Sequence, residues 1–167
     1  MAIASVRSAM WNWSIDGPLA AGRIRATLAA ILDRPVSTLG GALAGELFSE
    51  GVVLCDVWQG TGDFPVTVDC YAAPVEPAEI QVLAAFAHRV RRRCLMPDDT
   101  LDPGRHLLVS PDNTVRPAHV DLEPTDYGER RTNLRLCGRG EPSCRHDPRC
   151  AASRWPPDSV WPTRAVA

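Results

Sequence analysis

Two runs of alternating apolar and polar residues, 52–58 and 64–71, are separated by a short loop that contains two glycines. Alternation with a period of two is typical of strands with one buried face, so the two runs predict a β-hairpin. Helical periodicity flanks this hairpin on both sides, with one strand-like run before it and two after it. The order predicts an α+β fold, a two-layer sandwich with the ferredoxin-like order βαββαβ, an extra C-terminal hairpin strand and an irregular tail.

The alternation also predicts which face of the hairpin is buried. With Trp58 placed opposite Pro65, the side chains divide into two sets that point to opposite faces. We expect the set rich in valine to form the core, namely Val53, Cys55, Val57, Phe64, Val66, Val68 and Cys70. We expect the other set to point outward, namely Leu54, Asp56, Trp58, Thr67, Asp69 and Tyr71.

The remaining elements follow from the same patterns. A strand at 10–15 precedes a helix that begins after Asp16 and ends before Pro35. Residues 36–51 read as a loop with one short helical turn around 42–48. A second helix follows Pro77 and runs to about Cys94, and strands at 106–110 and 115–122 flank a turn. We therefore expect an α+β domain over 1–127 and an Arg/Pro/Cys-rich C-terminal tail over 128–167.

Arginine supplies all 18 basic residues of the chain. The absence of lysine excludes the phosphate-binding loop and Schiff-base chemistry, which both need a lysine amine. This bias is typical of a GC-rich bacterial genome. Residues 1–127 carry 10 Arg and 16 acidic residues, a net charge of −6, whereas residues 128–167 carry 8 Arg and 4 acidic residues, a net charge of +4. With no apolar run long enough for a membrane span and no secretory signal, we expect a cytoplasmic protein that does not bind a membrane.

The densest group of potential metal ligands lies in the tail. Cys137, Cys144, His146 and Cys150 follow the pattern C-x6-C-x-H-x3-C. Thiolates and an imidazole form a suitable tetrahedral set for zinc, and a metal would explain how a segment with few apolar residues folds. A disulfide between two of these cysteines and three unpaired thiols are the two alternatives, because the tight C-x2-C spacing is absent.

A second group of polar residues alternates along one predicted strand. His119, Asp121 and Glu123 should point away from the core that Ala118, Val120 and Leu122 face. A histidine flanked by carboxylates can act as a general base, which favours a small enzyme of specialised metabolism as an alternative function. Solvent-exposed strand polarity is the simpler explanation, so we assign no catalytic residue.

The outward face of the hairpin suggests a binding function. Asp56, Trp58, Asp69 and Tyr71 combine rigid aromatic surface with negative charge, a composition suited to a basic protein partner. Small acidic α+β domains of this size look like immunity proteins that neutralise toxins or chaperones that bind secretion substrates. The first hypothesis is therefore a non-enzymatic protein-binding module, with a basic toxin or a secretion substrate as partner. The chain's own basic tail folding over this face is the intramolecular alternative.

Nucleic acid is not an expected partner. The arginines at 89–93 lie at the end of the predicted second helix, where cations stabilise the helix dipole. The rest of the domain is acidic, and no aromatic residues are interleaved with these arginines as single-strand binding requires. A zinc-bearing regulator that uses the Cys-rich tail is the third functional hypothesis.

Overall fold

The computed structural model describes residues 8–41, 51–138, 141–145, 150 and 159–160. Over these residues it is a mixed α/β structure in which strands dominate. The strands are β1 (Ser8–Ile15), β2 (Val36–Ser37), β3 (Val53–Gln59), β4 (Val66–Pro74), β5 (Cys94–Pro97), β6 (Arg105–Val109), β7 (Thr114–Thr125), β8 (Gly128–Leu136) and β9 (Ser159–Val160). The helices are α1 (Ala21–Leu32), α2 (Leu39–Gly41) and α3 (Glu79–Val90), followed by a 3-10 turn at Pro142–Arg145.

A single sheet contains all the described strands. Eight of them lie side by side in the order β2-β3-β4-β1-β5-β6-β7-β8, and β9 pairs with β7 outside this sequence of neighbours. The pairs are antiparallel except for β2 with β3, which is parallel. From β5 to β8, strands that follow one another along the chain are neighbours in the sheet, so this half is a simple meander.

The faces predicted for the central hairpin agree with the structure, although the predicted register does not. Trp58 pairs with Thr67 and not with Pro65. A register shift of two residues leaves the paired strand residues on their predicted faces. The prediction is wrong for two residues: Phe64 is buried in a separate cluster on the opposite face of the sheet, and Leu54, expected to point outward, is buried. Val53, Cys55, Val66, Val68 and Cys70 are buried, whereas 59% of the Trp58 surface is exposed.

The main core lies between this sheet and the two long helices. Alternate residues of β1, Trp11, Trp13 and Ile15, are buried against apolar side chains of α1 and α3. The Trp13 and Phe86 rings lie 6.1 Å apart, which joins the central strand to α3. Burial of this apolar surface is the main driving force for packing the helices on the sheet.

Both helices end earlier than periodicity suggests. Asp33 and Arg91, the residues that follow α1 and α3, have left-handed backbone angles with φ of 50° and 57°. The second helix was predicted to reach Cys94, but Cys94 begins the short strand β5. Asp16 does not cap α1; its carboxylate accepts hydrogen bonds from the backbone N–H and the Nε of Arg93.

A second, smaller core covers the opposite face of the β5–β8 half. It contains Phe64 from the hairpin loop with Leu95, Leu108, Ala118 and Val120, and Leu122, Leu134 and Leu136 pack against it. The prediction of an irregular tail from residue 128 is therefore wrong for residues 128–136, which form β8. Pairing with β7 provides both the hydrogen bonds and the apolar contacts that hold this polar segment in the sheet.

The loop after β3 reaches across to β8. Gly62 forms a bridge with Arg131, and the N–H of Asp63 donates to the Arg131 carbonyl at 2.9 Å. The carboxylate of Asp63 accepts a hydrogen bond from the backbone N–H of Asn133. These contacts hold the β3–β4 loop against β8 beside the second core. We call this side of the sheet, opposite α1 and α3, the open sheet face.

Within the described residues, no helix has the length and apolar character needed to cross a membrane.

Candidate metal centre

His119 is buried, with 3% of its surface exposed, which contradicts the prediction that it points to solvent with Asp121 and Glu123. Its direction relative to Ala118 and Val120 is as expected from strand alternation, since those two residues lie in the second core. The prediction failed because both faces of the sheet are covered at this point. His119 is covered by cysteine residues that follow β8.

The antiparallel pairing of β7 with β8 brings the first of these cysteines to His119. His119 pairs with Arg135, and the ladder continues to a hydrogen bond from the Cys137 N–H to the Pro117 carbonyl, at 3.0 Å. Residues two apart on a strand share a face, so Cys137 lies diagonally across from His119 on the same side of the sheet. Register alone therefore places the Cys137 thiol near the imidazole.

A tight turn after β8 returns the chain to the same place. The Glu141 N–H donates to the Gly138 carbonyl, and the Cys144 N–H donates to the Glu141 carbonyl, both at 3.1 Å. Arg135 holds this turn on the sheet through an ion pair with Glu141, at 3.1 Å. This turn brings Cys144 above His119 beside Cys137, and the Cys150 side chain also lies there.

The four side chains form a compact set of potential ligands. One ligand atom from each of His119, Cys137, Cys144 and Cys150 lies within 4.8 Å of every other. The His119 Nε2 is 3.4 Å from the Cys144 Sγ and 3.3 Å from the Cys150 Sγ, and the sulfur atoms of Cys137 and Cys150 are 3.9 Å apart. The three cysteines are not disulfide-bonded.

These distances fit a tetrahedral zinc ion. With Zn–S bonds of about 2.3 Å and a Zn–N bond of about 2.0 Å, tetrahedral angles separate two sulfur ligands by about 3.8 Å and a sulfur from a nitrogen by about 3.5 Å. Three thiolates and one imidazole are also a donor set that zinc prefers over magnesium or calcium. The group can therefore hold a metal ion.

Both a cationic and an anionic side chain lie beside the group. Arg105, the strand neighbour of His119, donates from Nη1 to the Cys150 Sγ at 3.2 Å, and its Nε lies 2.6 Å from the buried Asp98 carboxylate. The other ring nitrogen of His119, Nδ1, is 3.9 Å from Asp102 Oδ2, too far for a hydrogen bond. In the metal-free protein, burial raises the pKa of the Cys137 thiol well above its ordinary value and that of Cys150 to about 11.

The sequence predicted three of these four ligands. Cys137, Cys144 and Cys150 come together, whereas His146, the fourth predicted ligand, lies outside the described residues. His119 occupies the imidazole position, and it is 18 positions before Cys137 in the sequence. The only signal that could have identified it is register: pairing β7 with a strand over residues 128–136 places His119 beside the first cysteine.

Asp121 and Glu123, the proposed partners of His119 in an enzyme, lie in ion pairs of their own. Asp121 is 2.9 Å from Arg135 and accepts a hydrogen bond from Asn133 Nδ2, and these contacts lower its pKa. Glu123 is paired with Arg130. Neither carboxylate is joined to His119 by a hydrogen bond or an ion pair among the described contacts.

The predicted partner-binding residues lie together on the open sheet face. Asp56 and Asp69 are direct cross-strand neighbours. The Asp56 carboxylate accepts the Leu39 N–H at 3.1 Å; that of Asp69 accepts the Trp58 Nε1–H at 2.9 Å and an Asn12 amide N–H at 2.5 Å. Tyr71 is partly exposed beside them, and the nearby Asp69 and burial together raise its pKa, burial contributing most.

Comparisons of the chain with protein-family models, with curated proteins and with solved structures found no match.

Proposed function

We propose that this protein is a non-enzymatic binding module whose C-terminal segment is held on the sheet by one zinc ion. The observation that carries the proposal is the convergence of four zinc-type ligand atoms, from His119, Cys137, Cys144 and Cys150, within 4.8 Å of one another. The residues after Leu136 contain few apolar side chains, so a metal supplies stabilisation that a hydrophobic core cannot provide there.

The number of protein ligands favours a structural role for the metal. Zinc that is bound by four protein side chains has no position left for water or substrate, whereas catalytic zinc keeps one position open. Asp121 and Glu123 are engaged with arginines, and the Asp102 carboxylate, 3.9 Å from His119 Nδ1, is too far for a hydrogen bond. Both observations support a binding module over the alternative of an enzyme.

Metal content tests the proposal directly. The full chain, expressed in zinc-supplemented medium and purified without chelator, should contain about one zinc per chain by elemental analysis. Cobalt substitution should give the intense visible absorption of a tetrahedral thiolate site. Metal-free protein that also fails to bind added zinc or cobalt would refute the proposal.

Two histidine variants separate the ligand sets. His119→Asn should lower zinc affinity strongly, whereas His146→Asn should retain one zinc per chain. Because His119 is buried and its loss can disturb folding, Cys144→Ser, at a half-buried position, provides a second variant. Retention of full affinity by both His119→Asn and Cys144→Ser would overturn this ligand set.

We further propose that the open sheet face binds another protein. The supporting observation is Trp58, a large aromatic side chain that is 59% exposed while its indole N–H is fixed by Asp69. Exposed, pre-oriented aromatic residues are enriched among residues that dominate binding energy. A basic toxin or a secretion substrate would make this an immunity-like or chaperone-like module.

A pull-down from the host with wild-type protein and Trp58→Ala tests this second proposal. Partners that bind through this face should be lost in the variant and retained by Arg89→Gln, a substitution on the exposed side of α3. Equal recovery of all partners by Trp58→Ala would count against it.

We also propose that β1, α1, β3, β4, α3 and β5 form a ferredoxin-like two-layer sandwich, in which β5 takes the place that the sequence prediction gave to the strand at 106–110. The support is the neighbour order β3-β4-β1-β5 with antiparallel pairing throughout, and the common core of α1 and α3 against these strands. Cross-strand NMR contacts between Trp13 and Val68 and between Ile15 and Cys94 test this order. Their absence would exclude it.

A further inference from the structure

A cleft lies on the open side of the sheet, between the end of the β3–β4 hairpin and the end of the β7–β8 hairpin. It has a volume of about 670 Å³. This volume is in the range of sites that bind small molecules. None of the four proposed zinc ligands lines it, so the cleft is a separate feature from the metal centre.

Aromatic side chains form much of its wall. Trp58, Phe64 and Tyr127 all line the cleft; Tyr127 is 97% exposed and Phe64 is buried at 2%. The hydrogen bond from the Trp58 indole to Asp69 holds the ring in place and uses its only donor, so Trp58 offers the cleft aromatic surface and no further hydrogen bond. Two exposed aromatic rings beside a buried one suit a flat, largely apolar ligand body.

Arg131 adds a specific polar requirement to the same cleft. Only 11% of its side chain is exposed, and its buried Nε has no hydrogen-bond partner among the described residues. The Glu129 carboxylate is 4.0 Å from Nη2, which is an ion-pair distance but too long for a hydrogen bond. A largely buried guanidinium with few acceptors is costly, and a ligand carboxylate on the part of Arg131 that lines the cleft would offset some of that cost.

The neighbouring cation does not compete for such a ligand. Arg130, which also lines the cleft, is paired with Glu123. Glu129 and the nearby Asp69 already place negative charge around Arg131. A monoanion therefore suits the site better than a phosphate dianion, and a carboxylate matches the planar fork of a guanidinium.

We propose that this cleft binds an aromatic carboxylate, with the ring between Trp58 and Tyr127 and the carboxylate on Arg131. This site goes beyond the proposed zinc-stabilised module and does not depend on the metal. In this proposal Trp58 contacts a small molecule. In the protein-partner proposal above, Trp58 contacts another protein.

Binding of 2-naphthoate to the zinc-loaded full chain tests the proposal, with neutral 2-naphthamide as the matched ligand. Calorimetry and quenching of tryptophan fluorescence should both show saturable binding of the acid. The amide should bind about tenfold more weakly or worse, because it lacks the charge that a buried guanidinium prefers. No saturable binding of the acid below about 1 mM, or equal affinity for acid and amide, would overturn the proposal.

Three variants assign the residues. Arg131→Gln should weaken 2-naphthoate binding by about tenfold or more and leave naphthamide binding nearly unchanged. Tyr127→Ala should weaken both ligands severalfold, and since Tyr127 is almost wholly exposed, this variant remains informative if Arg131→Gln does not fold. Arg89→Gln is the charge-matched control and should bind like wild type.

Unchanged binding in both Arg131→Gln and Tyr127→Ala would overturn the assignment to this cleft. Zinc content measured on the same samples keeps this result separate from the zinc proposal. A chain that holds zinc and binds no naphthoate refutes only the cleft, whereas a chain that binds naphthoate without zinc refutes only the metal centre.

Discussion

Arg105 donates a hydrogen bond from Nη1 to the Cys150 Sγ at 3.2 Å, and its side chain is only 5% exposed. Arg105 is the direct cross-strand neighbour of His119, so β6 supplies a cation beside the group formed by His119 and the three cysteines. A zinc ion bound by three thiolates and a neutral imidazole has a net charge of −1. The Arg105 guanidinium is therefore placed to offset this charge, while Asp98 fixes its orientation.

Replacing Arg105 should weaken metal binding without removing a ligand. Arg105→Gln should lower zinc affinity by about 10–100-fold, the usual effect of losing a group that supports metal ligands. Competition with a chromophoric chelator measures this change. Arg116→Gln, on the adjacent strand β7, is the control and should bind zinc like wild type; equal affinities for the two variants would show that Arg105 does not support the site.

Removal of the proposed zinc ion should loosen the C-terminal segment and leave the main core intact. After chelation, hydrogen exchange at the Cys144 amide should accelerate by at least about tenfold, because the described contacts that remain, the turn to Glu141 and the Arg135–Glu141 ion pair, are near the surface and local. Exchange in the centre of α3, at Phe86, should change little, since Phe86 is buried against Trp13. Uniform acceleration across both regions would indicate that the metal supports the whole fold, and no change would indicate that it supports neither.

Gly62 is needed where the hairpin loop meets β8. Its φ is +96°, and an added Cβ would lie 2.6 Å from the Arg131 carbonyl oxygen. Gly62→Ala should therefore lower the free energy of unfolding by more than about 1 kcal/mol. Gly22→Ala in α1 is the matched control: no atom lies within 4 Å of the new methyl group, and we expect a gain of about 0.5 kcal/mol. Urea titration measures both, and equal shifts in the two variants would contradict this account.

The sequence predicted those parts of the fold in which the alternation of apolar and polar residues matches the buried and exposed faces of an element. Val66, Val68 and Cys70 alternate with polar residues because one face of β4 packs on the helices, so even a misplaced register preserved the faces. The sequence did not predict β5, because this strand has only four residues, ends in Pro97 and closely follows the arginine-rich end of α3. A strand this short has too few residues to show a period.

The site was harder to predict because its parts come from distant segments. β8 is rich in polar residues and reads as tail; it is a strand because β7 pairs with it, and no local pattern of its own indicates this. Without β8, nothing in the sequence connects His119 with Cys137, and His146 is the nearest histidine to the cysteines along the chain. The three cysteines could be recognised as potential ligands by residue type alone. His119 could be recognised only from the strand pairing that brings it beside Cys137.

Glu79 should make the stability of the fold fall as the pH rises from weakly acidic to neutral. Burial raises its pKa from 4.5 to about 7, with Asp99 adding to the shift and the hydrogen bond from the Asn12 N–H opposing it. Between these two values the folded state binds more protons than the unfolded state, so stability decreases with pH and then levels off above pH 7.

Glu79→Gln keeps an oxygen for the Asn12 N–H and removes the titration. The variant should match wild type near pH 4 and exceed it at pH 8 by an amount on the order of 1 kcal/mol, since solvent screens a partly exposed carboxylate. Urea titrations at the two pH values measure this difference, and Asp126→Asn, in the exposed turn between β7 and β8, is the control. A Glu79→Gln variant whose stability follows the wild-type pH profile would show that Glu79 is ionised without cost in the folded protein.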